Sequence, residues 1–79
     1  MQNLTFAATV DVRPLPSPIK HKTIFDTFDS LQSGQSMLLV NDHEPRPLHY
    51  QFIMEMPDQF TWEYLQSGPE VWQVRIGKK

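Results

Sequence analysis

The 79-residue chain contains no cysteine. Disulfides, iron–sulfur clusters, zinc ribbons and thiol nucleophiles are thereby excluded. It also lacks a basic stripe: seven Lys and Arg stand against nine Asp and Glu, for a net charge of −2. Nucleic-acid backbones reward clustered cations, so a nucleic-acid partner is not expected. No apolar run approaches the ~20 residues of a membrane span. The N-terminal MQNLTFAATV has no basic region followed by a long apolar core, so no membrane association and a cytoplasmic location are expected. There is no HExxH pair for zinc, no nucleophile-elbow motif and no internal repeat.

What is present is proline and aromatic residues: seven prolines, five phenylalanines, two tryptophans and two tyrosines. This aromatic load points to a packed domain rather than disorder. The length fits one domain over residues 1–79, with an ordered core from about 5 to 77.

Phe6, Ala8, Val10 and Val12 alternate with Thr5, Ala7, Thr9 and Asp11, which predicts a half-buried strand. "RPLPSP" ends it, since proline can neither donate to a ladder nor sit inside a helix. Ser17 and Pro18 read as N-cap and first helical position, with Ile24, Phe25, Phe28 and Leu31 following at helical spacing. "QSGQ" stops that helix. Met37 to Val40 is continuously apolar, which predicts a central strand buried on both faces. Leu48 to Met56 fits two periods. Alternation of Leu48, Tyr50, Phe52, Met54 and Met56 reads as strand; Leu48, Phe52, Ile53 and Met56 read as a helical stripe. Pro47, with Asp42 and Glu44 upstream, favours the helix, near 46–56. Phe60, Trp62 and Tyr64, then Trp72, Val74 and Ile76, predict a terminal hairpin around "QSGPE", with an aromatic inner face that supplies the main part of the core. The order β-α-β-α-β-β predicts an α+β two-layer sandwich, with a four-stranded mixed sheet and two helices on one face.

If the first two strands are parallel neighbours, their carboxyl ends share one edge. Asp11, Arg13 and His21 follow the first strand; Asp42, His43, Arg46 and His49 follow the second. Ligands collect at such edges, and helix N-termini favour anions. Each residue also has a structural reading. His21 falls on the core side of its helix, His43 in a solvated turn, and His49 on a helix surface. Asp11 and Arg13 pair with each other or with Asp42, and Met54 and Met56 fill the core. His43 and His49 are six apart, which matches no compact metal motif, although His21, His43 and His49 could converge in space with Asp42.

Three stretches, "DVRPLPSPIKHKTIFDTFDSLQSGQ", "LVNDHEPRPLHYQF" and "FTWEYLQSGPEVWQVRIGKK", resemble a bacterial and archaeal domain family of unknown function. That family is a relative of the TusA-like (SirA-like) sulfur-carrier fold. The resemblance spans about Asp11 to Lys78 and implies the TusA-like architecture. It implies that Asp11, Arg13, His21, Asp42, His43, Arg46 and Gln51 are the distinctive polar positions. Sulfur carriers enter their first helix through Cys-Pro-x-Pro; here the matching residues are Leu15-Pro16-Ser17-Pro18, and leucine has no nucleophilic atom. The resemblance further implies a hemerythrin-like, cupin or other redox protein as partner, and a link to nitric oxide metabolism.

Two functions of different class follow. The first is a non-catalytic binding module, monomeric or weakly dimeric. It would hold a small anion, a metal or haem centre at His21 and His43, or a partner's acidic segment, with Arg13 and Arg46 in an anion cradle. The second is a small enzyme with His21 or His43 as general base, oriented by Asp42 or Asp11.

Overall fold

The computed structural model describes residues 6–79. The elements are β1 (Ala8–Asp11), α1 (Ser17–Ser30), β2 (Ser36–Asn41), α2 (Arg46–Glu55), β3 (Phe60–Ser67) and β4 (Trp72–Lys78). They form the expected α+β sandwich, a mixed sheet in the order β1-β2-β4-β3. β1 and β2 are parallel, while β4 is antiparallel to both β2 and β3. Thr5, assigned to the first strand from its alternation, lies outside the described residues.

Side-chain alternation assigns the two faces. Ala8, Met37, Ile76 and Trp62 form one row across the sheet, and Val10, Leu39, Val74 and Tyr64 the next. Both rows face the helices. Thr9, Leu38, Arg75 and Glu63 form a row on the open face. β2 is central, with Met37 and Leu39 fully buried beneath the helices and Val40 buried on the opposite side. The continuous apolar run was therefore a correct indicator of two-sided burial.

Helix α2 resolves the ambiguous segment. Leu48 and Phe52 are its buried residues, which is the 3.6-residue period. The strand period fails because Tyr50 and Met54 are exposed. Two expectations need correction. Ser17 is the first helical residue rather than the cap; Pro16 occupies that position and no side chain caps the helix. Met54 is no core filler. It is 81% exposed, while Met56 packs partly against the core.

The deep core also departs from expectation. Phe28, Phe52 and Ile24 from the helices, with Met37, Leu39, Val74 and Ile76 from the central strands and Val12 after β1, are its most enclosed members. Phe52 meets Phe25 in a stacked pair at 4.4 Å and Phe28 edge-on at 5.2 Å. The hairpin aromatics flank this centre: Phe60 and Trp62 are partly buried, and Tyr64 is exposed. The reason is topological. β3 is an edge strand, so its inner face lies at the margin of the helical layer.

Candidate functional site

The chain leaves β1 after Asp11 and β2 after Asn41. Because these strands are parallel neighbours, both exits lie at the same edge, and α1 and α2 begin there. Each helix carries proline at its first or second position, which fixes φ near the helical value. Neither has a side-chain cap or an acidic residue in its first turn. The positive ends of the two helix dipoles are thus left unbalanced by their own sequence.

A cleft of about 60 Å³ opens between these helix starts. Its floor is made by Val12, Ile24 and Leu48, each at most 2% exposed. Pro45 and Pro47 form one wall. Lys20, His21 and His43 line it as well and are more exposed than the floor. One buried polar side chain joins the apolar floor: Asn41, 5% exposed.

The Asn41 orientation is fixed by its backbone neighbour. Its Oδ1 accepts the Asp42 N–H at 2.8 Å, so the amide end Nδ2 is the free one. Among the described residues, the enclosed side-chain nitrogens and oxygens without a partner are Trp62 Nε1 and Arg75 Nε. Asn41 Nδ2 is not one of them and makes no hydrogen bond to the described residues, so it is not fully enclosed, and Asn41 lines the cleft. The result is a nearly buried donor pair in an apolar floor, which a ligand acceptor can satisfy.

Both histidines have one ring nitrogen engaged. His21 Nδ1 lies 2.7 Å from Gln51 Oε1, and Gln51 Nε2 donates to Glu55 Oε2 at 2.6 Å. A carboxylate only accepts, so Glu55 fixes which end of Gln51 meets His21. Nδ1 of His21 therefore carries the hydrogen. His43 Nδ1 donates in the same way to Asp42 Oδ1 at 2.7 Å. That bond holds the Asp42 carboxyl below its ordinary range, with further help from Lys20 nearby. In both rings Nε2 makes no hydrogen bond to the described residues. His21 shares the α1 face of Ile24 and Phe28, as its spacing implied, but it lies a turn nearer the open edge, where it is exposed and bonds to the Gln51 side chain of α2 rather than to backbone.

The other proposed site residues are placed differently. Arg13 grips Asp11 with Nε at 2.9 Å and Nη2 at 2.6 Å. This bidentate pair holds the Asp11 carboxyl down and the guanidinium up. Arg46 pairs with Glu44 at 3.1 Å. Neither arginine lines the cleft, so the expected two-arginine cradle is replaced by Lys20, His21, His43 and Asn41. Gln51 serves through His21. His49 is half-buried rather than a surface residue, with its ring stacked on Trp62 at 4.2 Å and 3°. Among the described residues there is no group of three His, Asp or Glu side chains that could hold a metal ion.

Sequence reasoning missed Lys20 and Asn41. Lys20 sits in the first turn of α1, where a cation opposes the dipole; that mismatch was a usable signal. Asn41 ends an apolar run as its one polar member, and nothing local reveals its burial.

A family model described as "Uncharacterized conserved protein (DUF2249)" matches residues 9–78. No curated protein and no solved structure matches the chain. Among the described residues no helix is long and apolar enough to cross a membrane.

Proposed function

The chain belongs to the family of uncharacterized conserved proteins DUF2249, and from this premise we propose that it is a non-catalytic binding module. Its ligand is a small anion held in the cleft between the starts of α1 and α2. The observation that carries the proposal is the buried Asn41 amide donor in a cleft also lined by Lys20, His21 and His43. Two uncapped helix N-termini support it.

The local charges make binding depend on pH. Asp11 cancels Arg13, and Asp42 offsets Lys20. The two histidines then set the sign of the edge: neutral when they are neutral, positive when they are protonated. Protonating either ring therefore strengthens anion binding. By linkage, a bound anion moves the histidine titrations to higher pH.

A metal or haem centre on His21 and His43 is the competing ligand class. Two available Nε2 atoms favour it, but Lys20 and the two uncapped helix N-termini favour an anion. The enzyme reading draws on the His43–Asp42 bond, which has the form of an oriented base. His43 and Asp42 side chains are 62% and 54% exposed, so water has free access, which favours binding over catalysis. The element order and the Leu15-Pro16-Ser17-Pro18 approach to α1 support kinship with the TusA-like fold without its sulfur chemistry. The sequence resemblance supports a bacterial setting and a hemerythrin-like, cupin or redox protein partner, and a cytoplasmic location and a monomer or weak homodimer complete the proposal.

The test is an NMR titration of the three histidines with phosphate, acetate and zinc. Acetate or phosphate should raise the midpoints of His21 and His43 and leave His49 nearly unmoved. Zinc ligation would lower them, because a ligand nitrogen must be neutral. Midpoints indifferent to every anion would end the anion reading.

A further inference from the structure

The cleft carries a gradient of polarity along its depth, and that gradient selects among anions. The floor is Val12, Ile24 and Leu48, and its sole polar group is the Asn41 amide. Half-buried Lys20 supplies positive charge nearer to solvent, beside the exposed rings of His21 and His43. A carboxylate or phosphate seated on the floor would lose its water and find one neutral donor, which does not offset the desolvation of a charge. An uncharged acceptor oxygen there would satisfy the Asn41 Nδ2 hydrogens at no such cost. The volume of about 60 Å³ admits only a few water-sized groups. The inner part of the ligand is therefore small, partly apolar and neutral, and its charge stays at the rim.

We propose that the ligand is a short carboxylate with an uncharged oxygen on the adjacent carbon, a 2-oxo or 2-hydroxy carboxylate. Its carboxylate meets Lys20, His21 and His43, and its neutral oxygen accepts from Asn41 Nδ2. This inference rests on the reading of the cleft as an anion site. Inorganic oxyanions fit less well, because a tetrahedral phosphate or sulfate has no apolar part to set against Val12, Ile24 and Leu48. A simple fatty carboxylate fits the rim but leaves the Asn41 donor unpaired.

The full-length protein at about pH 6, below the ordinary histidine value, is titrated with pyruvate, lactate, propionate and phosphate. Histidine ring signals and the Asn41 side-chain amide signals are followed. Propionate matches pyruvate in size and charge and lacks the second oxygen. Pyruvate or lactate should bind about fivefold or more tighter than propionate, the value of one hydrogen bond, and should move the Asn41 amide signals. Asn41→Asp keeps the oxygen that accepts the Asp42 N–H and removes the donor, so the pyruvate-to-propionate ratio should fall to about one. If that variant does not fold, the wild-type ratio and the Asn41 amide shift decide alone. Propionate or phosphate binding as tightly as pyruvate, or Asn41 signals unmoved at saturation, overturns the ligand class while leaving the anion site standing. Histidines unmoved by all four ligands overturn the anion site itself.

Discussion

His49 shows how much of a residue's character its neighbours assign. Its ring stacks on Trp62 and meets Phe60 edge-on at 6.2 Å. Burial disfavours the charged ring and pulls its pKa below the ordinary 6.5, with Glu44 pulling the other way. The unfolded chain takes up this proton at the ordinary value, whereas the native state resists. Stability from this site is therefore complete above about pH 6.5 and declines as pH falls below it. His49→Phe keeps an aromatic surface on Trp62 and removes the proton. Melting curves at pH 5 and pH 7.5 should show a smaller loss on acidification for His49→Phe than for wild type. All other groups are the same in both proteins and cancel in the comparison. Equal losses in the two proteins would contradict a depressed His49.

At the scale of elements, α1 is short of its own terminal partners and draws some from elsewhere. Its N-terminus has no acidic residue in the first turn. Ser17→Asp should add about 0.5 kcal/mol at neutral pH by complementing the dipole. The dipole favours the carboxylate and depresses its pKa, so the gain should vanish as pH drops through the aspartate range. A denaturant series at pH 7 and pH 3 checks this; an equal change at both would implicate something other than charge. The C-terminus has no basic residue in its last turn. Lys78 of β4 supplies the charge instead, donating from Nζ to the carbonyls of Asp29 at 3.2 Å and Leu31 at 2.8 Å. The same ammonium lies 5.1 Å from the centre of the Phe28 ring. Lys78→Met keeps most of the stem and should cost about 1–2 kcal/mol. Loss of protection should be visible in hydrogen exchange at the end of α1, and unchanged exchange there would show that water replaces the ammonium without cost.

For the molecule as a whole, the core is centred on the two helices and the two central strands. Phe52 is fully buried and contacts the rings of Phe25, Phe28, Phe60 and Trp62. Phe52→Ala should cost about 3–5 kcal/mol. Total stability for a fold of this size is on the order of 5–10 kcal/mol, so the variant should be close to unfolding. Trp72 is only half-buried, at the end of β4. It packs edge-on to Tyr64 at 6.1 Å and over Gly68, where an added Cβ would lie 2.9 Å from the indole. Trp72→Ala should cost less than Phe52→Ala, about 1–3 kcal/mol. Chemical denaturation of the two variants tests the order. A reversed order would move the centre of the core to the hairpin, where the aromatic alternation had seemed to put it.

The sequence by itself determined the element order except at Leu48 to Met56, where it only favoured a helix, because prolines at "RPLPSP" and "EPRP" stop strands and start helices through their fixed φ and missing N–H. It determined that β2 is central, because four consecutive apolar residues from Met37 need burial on both faces. It placed His21 and His43 at one edge, since a helical crossover between neighbouring strands makes them parallel. Tertiary structure decided what local pattern cannot express. Arg13 and Arg46 are charged residues in loops like any ligand-binding arginine, and only geometry shows each spent on an acidic neighbour two residues away. Asn41 reads as the polar end of a strand until Pro45 and Leu48 close over the same cleft and leave it 5% exposed. Lys20 and Lys78 look like solvent-facing lysines, yet one borders the cleft and the other ends a helix 47 residues away. Burial and partnership depend on which surfaces meet across the fold, and residue spacing along the chain encodes only the face each side chain presents.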